Sequence, residues 1–433
     1  MDIQERIKLI FKKKALHHAS FIYFSYLING VSLFVLNILL ARMMNADRFG
    51  IFSLSILALS TVAELSDFGL NAGLLRFAPY YISTNQTEKL SQLVKTIWQW
   101  RVALTWVLTV GGVVLSYPLA RYILGEPEVA PYLAYSFLGI GGVVLLGFLA
   151  TFLQAKQRFF YNASLQSLKG ILRLIIAIIL LAFGVTNLFA YLSVYIFVPW
   201  LLFLTSYKVL PENFRNTVID AEAKNKLHAD LVKFSFWLTI SSLMSIFATR
   251  IDSVMISRLM GLANVAIYNV AYQLIQFFPL IYSSINSALT PRASSLTDKA
   301  SLIIFIKRTI KWTLAVAFGV MLFIYPSQFL IPLFFGQKYL PSMPVYLVLA
   351  YSLVLNIIAI PFSLTITVFN RTHLVFWAGF TGLLVNIVGN IILIPIFGIM
   401  GAAYTFGLGI LVSFLYNIVC ALYLLKKKDI VAM

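Results

Sequence analysis

The sequence predicts an all-α polytopic membrane protein of twelve transmembrane helices, arranged as two six-helix bundles related as parallel repeats. Three observations lead there. The chain of 433 residues is 61% hydrophobic and 11% charged, with a mean hydropathy of +0.90. Its apolar residues fall in runs of about twenty, the length that spans a bilayer as a helix. Segments of the first half also recur in the second at one fixed offset, the one that carries Arg42 onto Arg258.

The runs of the first half are Ala19–Leu40, Phe49–Leu70, Val102–Ile123, Tyr132–Leu153, Leu165–Phe183 and Leu188–Tyr207. Those of the second are Phe234–Met255, Val265–Ile285, Trp312–Leu333, Val345–Thr367, Leu374–Phe397 and Ala403–Leu424. They are too long and too uniformly apolar for the short alternating strands of an outer-membrane barrel. The basic leader MDIQERIKLIFKKK precedes a run too long for a cleaved signal and without an A-x-A exit, so the first run reads as an uncleaved helix. Cys420 is the single cysteine and cannot form an intrachain disulfide.

The net charge of +18 follows topology rather than nucleic acid. With a cytoplasmic N-terminus and twelve spans, twenty-seven Lys and Arg fall at or beside the inner side, five fall outside, and Arg250 lies within a span. That bias fits the positive-inside rule with both termini cytoplasmic. It also supplies attraction to anionic membrane lipids.

The repeat is visible in ARMMNADRFGIFSL (Ala41–Leu54) against SRLMGLANVAIYNV (Ser257–Val270). Arg42 matches Arg258 and Phe52 matches Tyr268; further on, Arg76 matches Arg292 and LAYSF matches LAYSL. Six spans is an even number, so both halves enter from the same side and the repeats are parallel. The expected division is residues 1–210 for the first bundle, 211–230 for a polar cytoplasmic linker, and 231–433 for the second bundle.

There is no G-x-x-x-x-G-K-[ST], no H-E-x-x-H and no C-x-x-C, and His17, His18, His228 and His373 are scattered. No nucleotide site, metal site or other cofactor is expected, and no catalytic residue. The outer loops are short, and GEPEVAP (Gly125–Pro131) reads as a solvated turn. The class that remains is a transporter driven by an ion or substrate gradient.

Charges inside spans are costly and default to function. Lys169 and Arg173 lie four apart on one helix face, with Arg173 ~12 Å into the run that begins at Leu165. A guanidinium there suits an anionic head group, as the cationic floor of an aqueous cavity between the halves. The alternative is a shifted helix start that leaves both at the surface. Asn386 and Asn390, also four apart, are candidates for another wall of that cavity or for interhelical hydrogen bonds. Glu64 and Asp67 are candidates for a coupling proton or sodium ion. Glu64 can instead pair with Arg76, and Asp67 can cap the helix end before Gly69.

Arg250 and Asp252 lie in FATRIDSVMI, about 200° apart around one helix, so they cannot pair with each other there. The matching positions of the first half are Phe34 and Leu36, both apolar. Arg250 is a candidate contact for an anionic head group or a residue that snorkels outward. Asp252 is a candidate partner of a basic or amide group, or of the coupling ion.

At ADRFGIFSL (Ala46–Leu54) and LSDFGLNAGLLR (Leu65–Arg76) the chain resembles the polysaccharide-transporter family, the O-antigen-type flippases of the multidrug/oligosaccharidyl-lipid/polysaccharide exporter superfamily. The resemblance covers the whole length and implies a MATE-like fold in a bacterial inner (cytoplasmic) membrane. It implies translocation of an undecaprenyl-diphosphate-linked oligosaccharide for O-antigen-like cell-surface polysaccharide, with polysaccharide polymerase machinery as a partner. It supplies no catalytic signature. The competing reading is an ion-coupled drug or cation antiporter of the same superfamily, whose site would be lined by carboxylates. A membrane-embedded glycosyltransferase is disfavoured by the short outer loops.

Overall fold

The computed structural model describes residues 24–211, 214, 221–294, 296, 299–369 and 371–427. Among them there is no strand. In lipid a backbone must satisfy its own hydrogen bonds, and helices do so within each apolar run. The long helices of the first half are α1 (Phe24–Met43), α2 (Ala46–Leu65), α3 (Leu70–Ser83) and α4 (Thr87–Pro118, continued by a π turn over Leu119–Leu124). They are followed by α5 (Ala130–Phe137), α6 (Ile140–Ala155), α7 (Phe159–Ala182) and α8 (Leu188–Ser206). Then come α9 (Ala221–Met260), α10 (Leu262–Ile275), α11 (Phe278–Ser294) and α12 (Lys299–Ser327). The chain ends in α13 (Leu330–Phe335), α14 (Ser342–Val368), α15 (Thr372–Phe397) and α16 (Ile399–Lys427).

Ten helices among the described residues are long and apolar enough to cross a membrane, or eleven with the α5–α6 pair, which bends by 42°, taken as one span. The seventh expected span falls in α9, whose 40 residues include Arg250, Asp252 and many Ser and Thr. The basic leader with His17 and His18, the start of the first span before Phe24, and residues 212–213 and 215–220 of the expected linker lie outside the described residues. Of that linker Phe214 is buried, 5.9 Å from the Trp98 ring, and α9 begins at Ala221.

The chain divides into two compact units. The first takes in Met1–Leu40, Ile51–Ile123 and Pro127–Ile246. Its core gathers Leu74, Leu93, Phe148, Leu149, Phe152 and Leu153 with the ring of Trp98, which stacks on Phe203. Small residues bring helices close: a Cβ on Gly170 would lie 2.8 Å from the Asn29 backbone. The helix breaks between α2 and α3, where Phe68 and Gly69 adopt φ of 41° and 69°. A Cβ on Gly69 would meet that of Ser235 at 2.6 Å, and Ser235 Oγ donates to the Gly69 carbonyl at 3.1 Å.

The second unit takes in Ala41–Gly50, Leu124–Glu126 and Phe247–Met433. Here α16 packs along both α14 and α15. Gly382 and Gly409 let α15 and α16 cross at backbone distance, so that a Cβ on either would lie 2.7 Å from the carbonyl of the other. Arg42 caps the end of α13: its Nε donates to the Phe334 carbonyl at 2.6 Å and its Nη2 to that of Leu333. Lys338 Nζ returns a bond to the Arg42 carbonyl at 3.2 Å. At the end of α9, Ser257 Oγ donates to the Leu124 carbonyl at 3.0 Å, and Arg258 lies against Gly125. Thus each of the matched residues Arg42 and Arg258 meets a segment from the other half of the sequence, Arg42 the end of α13 and Arg258 the turn at Gly125. Ala46 opens α2 and Leu262 opens α10, the same separation along the chain as that of Arg42 and Arg258. The break between α10 and α11 at Gln276–Phe277 echoes that between α2 and α3.

Candidate functional site

Two helical hairpins build the polar centre of the second unit. α9 turns into α10 at Gly261 (φ 83°), and α15 turns into α16 at Gly398 (φ 62°). Antiparallel helices share one rise per residue, so residues equally far from the turn come face to face. Asp252 and Tyr268, nine residues before and seven after the first glycine, come close to that register, as do Asn390 and Thr405, eight before and seven after the second.

Tyr268 Oη donates to Asp252 Oδ2 at 2.7 Å, and Asn390 Nδ2 donates to Asp252 Oδ1 at 2.7 Å. Asn390 Nδ2 also lies 3.3 Å from Asn386 Oδ1, and Thr405 Oγ1 donates to Asn390 Oδ1. Ser253 Oγ extends the cluster to Asn269 Oδ1 at 3.1 Å. Asp252 is 4% exposed and Asn390 is fully buried. With Asn386 also bonded to it, the carboxylate has three neutral donors and no ion-pair partner among the described residues. A buried anion in that state is expensive unless a proton or cation joins it. The oxygens of Asp252, Asn386, Asn390 and Thr405 are hard ligands suited to a small cation.

Through Asn390 these bonds join α15 to α9 and α16, and Asn386 is buried beside it. Asp252 takes the amide partner that its type and position allowed. Arg250, two residues before it, is half-buried on another face of α9.

In the first unit α7 starts at Phe159, so Lys169 and Arg173 lie well inside the helix and not at its surface end. Lys169 is half-buried, and its Nζ donates to Gln166 Oε1 at 2.9 Å. Arg173 is 7% exposed. Its guanidinium carbon lies 4.4 Å from the centre of the Tyr195 ring, and Nη2 donates to the Tyr195 carbonyl at 3.3 Å. The ring covers Arg173, so in this structure Arg173 is no open floor. Tyr195 also meets Phe52 edge-on at 5.5 Å.

Asp67, a candidate for the coupling ion, is engaged by a buried cation. It forms an ion pair with Arg101, which is buried and also donates to Asn71 Oδ1 at 2.9 Å. Its Oδ1 accepts from the Asn71 backbone N–H at 3.2 Å, so it caps the start of α3 rather than the end of α2. Glu64 is exposed on α2, and Arg76 is exposed on α3 beside Phe77.

Sequence reasoning missed Tyr268, Thr405, Tyr195 and Arg101. One signal was present for Tyr268. In the first half Leu36 and Phe52 are buried and apolar, and their counterparts are Asp252 and Tyr268. Two apolar residues are thus replaced together by a hydrogen-bonded pair.

Residues 15–297 match the family described as Polysaccharide biosynthesis protein. An uncharacterized membrane protein of Methanocaldococcus jannaschii is 22% identical over 432 residues, covering 94% of this chain and 84% of its own. Among solved structures, the lipid II flippase MurJ in an inward closed conformation aligns with a TM-score of 0.71 at 14% identity, over 94% of this chain and 87% of that one. An inward-facing multidrug resistance MATE family transporter of the MOP superfamily aligns with a TM-score of 0.73 at 13% identity, over 92% and 94%. These structural likenesses establish a MATE- and MurJ-like fold.

Proposed function

The chain belongs to the polysaccharide biosynthesis protein family, and from that premise we propose that it is a flippase. Its cargo is an undecaprenyl-diphosphate-linked oligosaccharide, carried across the inner membrane by alternating access. The multi-pass chain would have both termini cytoplasmic, on the basic bias of its loops. Its product would feed a polymerase that builds O-antigen-like surface polysaccharide.

The observation that carries this reading is the state of the charges within the spans. Asp67 is neutralised by Arg101, and Asp252 is enclosed by Tyr268 and Asn390. Lys169 and Arg250 keep part of their surface. Basic residues at partly exposed positions within the spans suit a diphosphate. In this reading Arg250 is a diphosphate contact in the second unit, and Lys169 and Arg173 are candidate contacts in the first. The Asp252, Asn386, Asn390 and Thr405 cluster takes up the coupling proton or sodium ion.

Glu64, exposed on α2, is the feature that favours the second reading, an ion-coupled drug or cation antiporter. Thermal unfolding of the purified protein separates the two. An undecaprenyl-diphosphate-linked saccharide should raise the unfolding temperature, and a lipophilic cationic dye should not. Stabilisation by the dye alone would reverse the assignment.

A further inference from the structure

A groove of about 590 Å³ runs between α11 and α12 in the second unit. Both helices pack on α14, and the groove is the space left between them. Its lining comes from one stripe of each helix. Ile285, Leu289 and Arg292 follow each other at spacings of four and three on α11, and Arg308, Trp312 and Val316 at spacings of four on α12. Arg292 and Arg308 both line the groove, and along their helices both lie nearer the α11–α12 connection than Ile285 and Val316 do. From there the walls are mostly apolar for ~10 Å, the helical rise from the arginines to Ile285 and Val316. Trp312 is 66% exposed and stands at the mouth.

We propose that this groove binds an acidic glycerophospholipid of the surrounding bilayer. The two guanidinium groups take the phosphate, and the first part of an acyl chain lies along Leu289, Ile285 and Val316. Three features argue for that occupant. Guanidinium groups match phosphate oxygens in pairs. Basic pockets between membrane helices favour anionic head groups. The volume is that of a small-molecule site and the polarity is graded from charged to apolar, which a lipid matches along its length. This inference does not rest on the flippase reading.

The test uses the full-length protein in phosphatidylcholine bilayers without cargo. Trp312 emission is isolated as the difference between the parent and W312F. Phosphatidylglycerol brominated on its acyl chains should quench that emission at a mole fraction roughly tenfold below brominated phosphatidylcholine, given two favourable basic contacts. The R292Q/R308Q double variant should abolish the preference, and R292K/R308K should keep part of it. Equal quenching by both lipids in the parent, or a preference that survives in R292Q/R308Q, overturns the proposal. So does relief of the quenching by inorganic phosphate at matched ionic strength, which would mark a site for phosphate without its lipid. A variant that fails to fold leaves the parent's comparison of the two lipids decisive.

Discussion

Asn390 Nδ2 donates to Asp252 Oδ1 across 2.7 Å, joining α15 to α9 at a point where both side chains are buried. The matching position in the first half is Leu36, which needs no partner. The second unit therefore carries the cost of a buried carboxylate that the first avoids. A buried carboxylate of this kind is costly unless a proton or cation joins it.

If Asp252 takes up the coupling ion, the ion should stabilise the fold. At about 100 times its dissociation constant a bound ion contributes ~2.7 kcal/mol. Unfolding temperature should therefore rise with sodium at constant ionic strength, or with falling pH if the ion is a proton. Asp252→Asn should lose that response, since it removes the charge and keeps the shape. An unresponsive parent, or a response retained in the Asn variant, would remove the ion from this site.

Asp67 gives the opposite expectation. Replacing it by Asn leaves Arg101 buried beside a neutral amide, and breaking a buried pair costs about 3–5 kcal/mol. Denaturation of the Asp67→Asn protein should show a loss on that scale. Unchanged stability with transport lost would instead return Asp67 to the ion-coupling class.

The break between α2 and α3 should tolerate little. Gly69→Ala forces a side chain into positive φ and against Ser235, and strain of this kind costs on the order of 1–3 kcal/mol. Gly111, in α4 with nothing within 4 Å of its Cβ position, is the control. Gly111→Ala should be neutral or stabilising by about 0.5–1 kcal/mol. Thermal melts of the two variants should move apart, and equal melts would show that the break is not held by Gly69.

The spans and the repeat were legible because each rests on a local signal, an apolar run or a matched stretch. The constant offset that carries α2 onto α10 was readable without knowing where either helix packs. The centre of the second unit was only half legible. Asp252, Asn386 and Asn390 stand out as polar residues in apolar runs. Tyr268 and Thr405 do not, because Tyr and Thr are common in such runs. Their roles follow from the register of two hairpins, which depends on Gly261 and Gly398 acting as turns. Asp67 and Arg101 are 34 residues apart on different helices, and no local pattern links them. Arg173 was recognised as deep, but the ring that covers it comes from α8.

The most direct test of the central claim is translocation by the purified protein in sealed vesicles. A fluorescent undecaprenyl-diphosphate-linked oligosaccharide is placed in one leaflet, and its exposure to a membrane-impermeant quencher is followed with time. The parent should move the lipid across, Arg250→Gln should abolish the movement at equal amounts of folded protein, and Arg250→Lys should retain part of it. No movement above that of protein-free vesicles, or a Gln variant as active as the parent, would contradict the account.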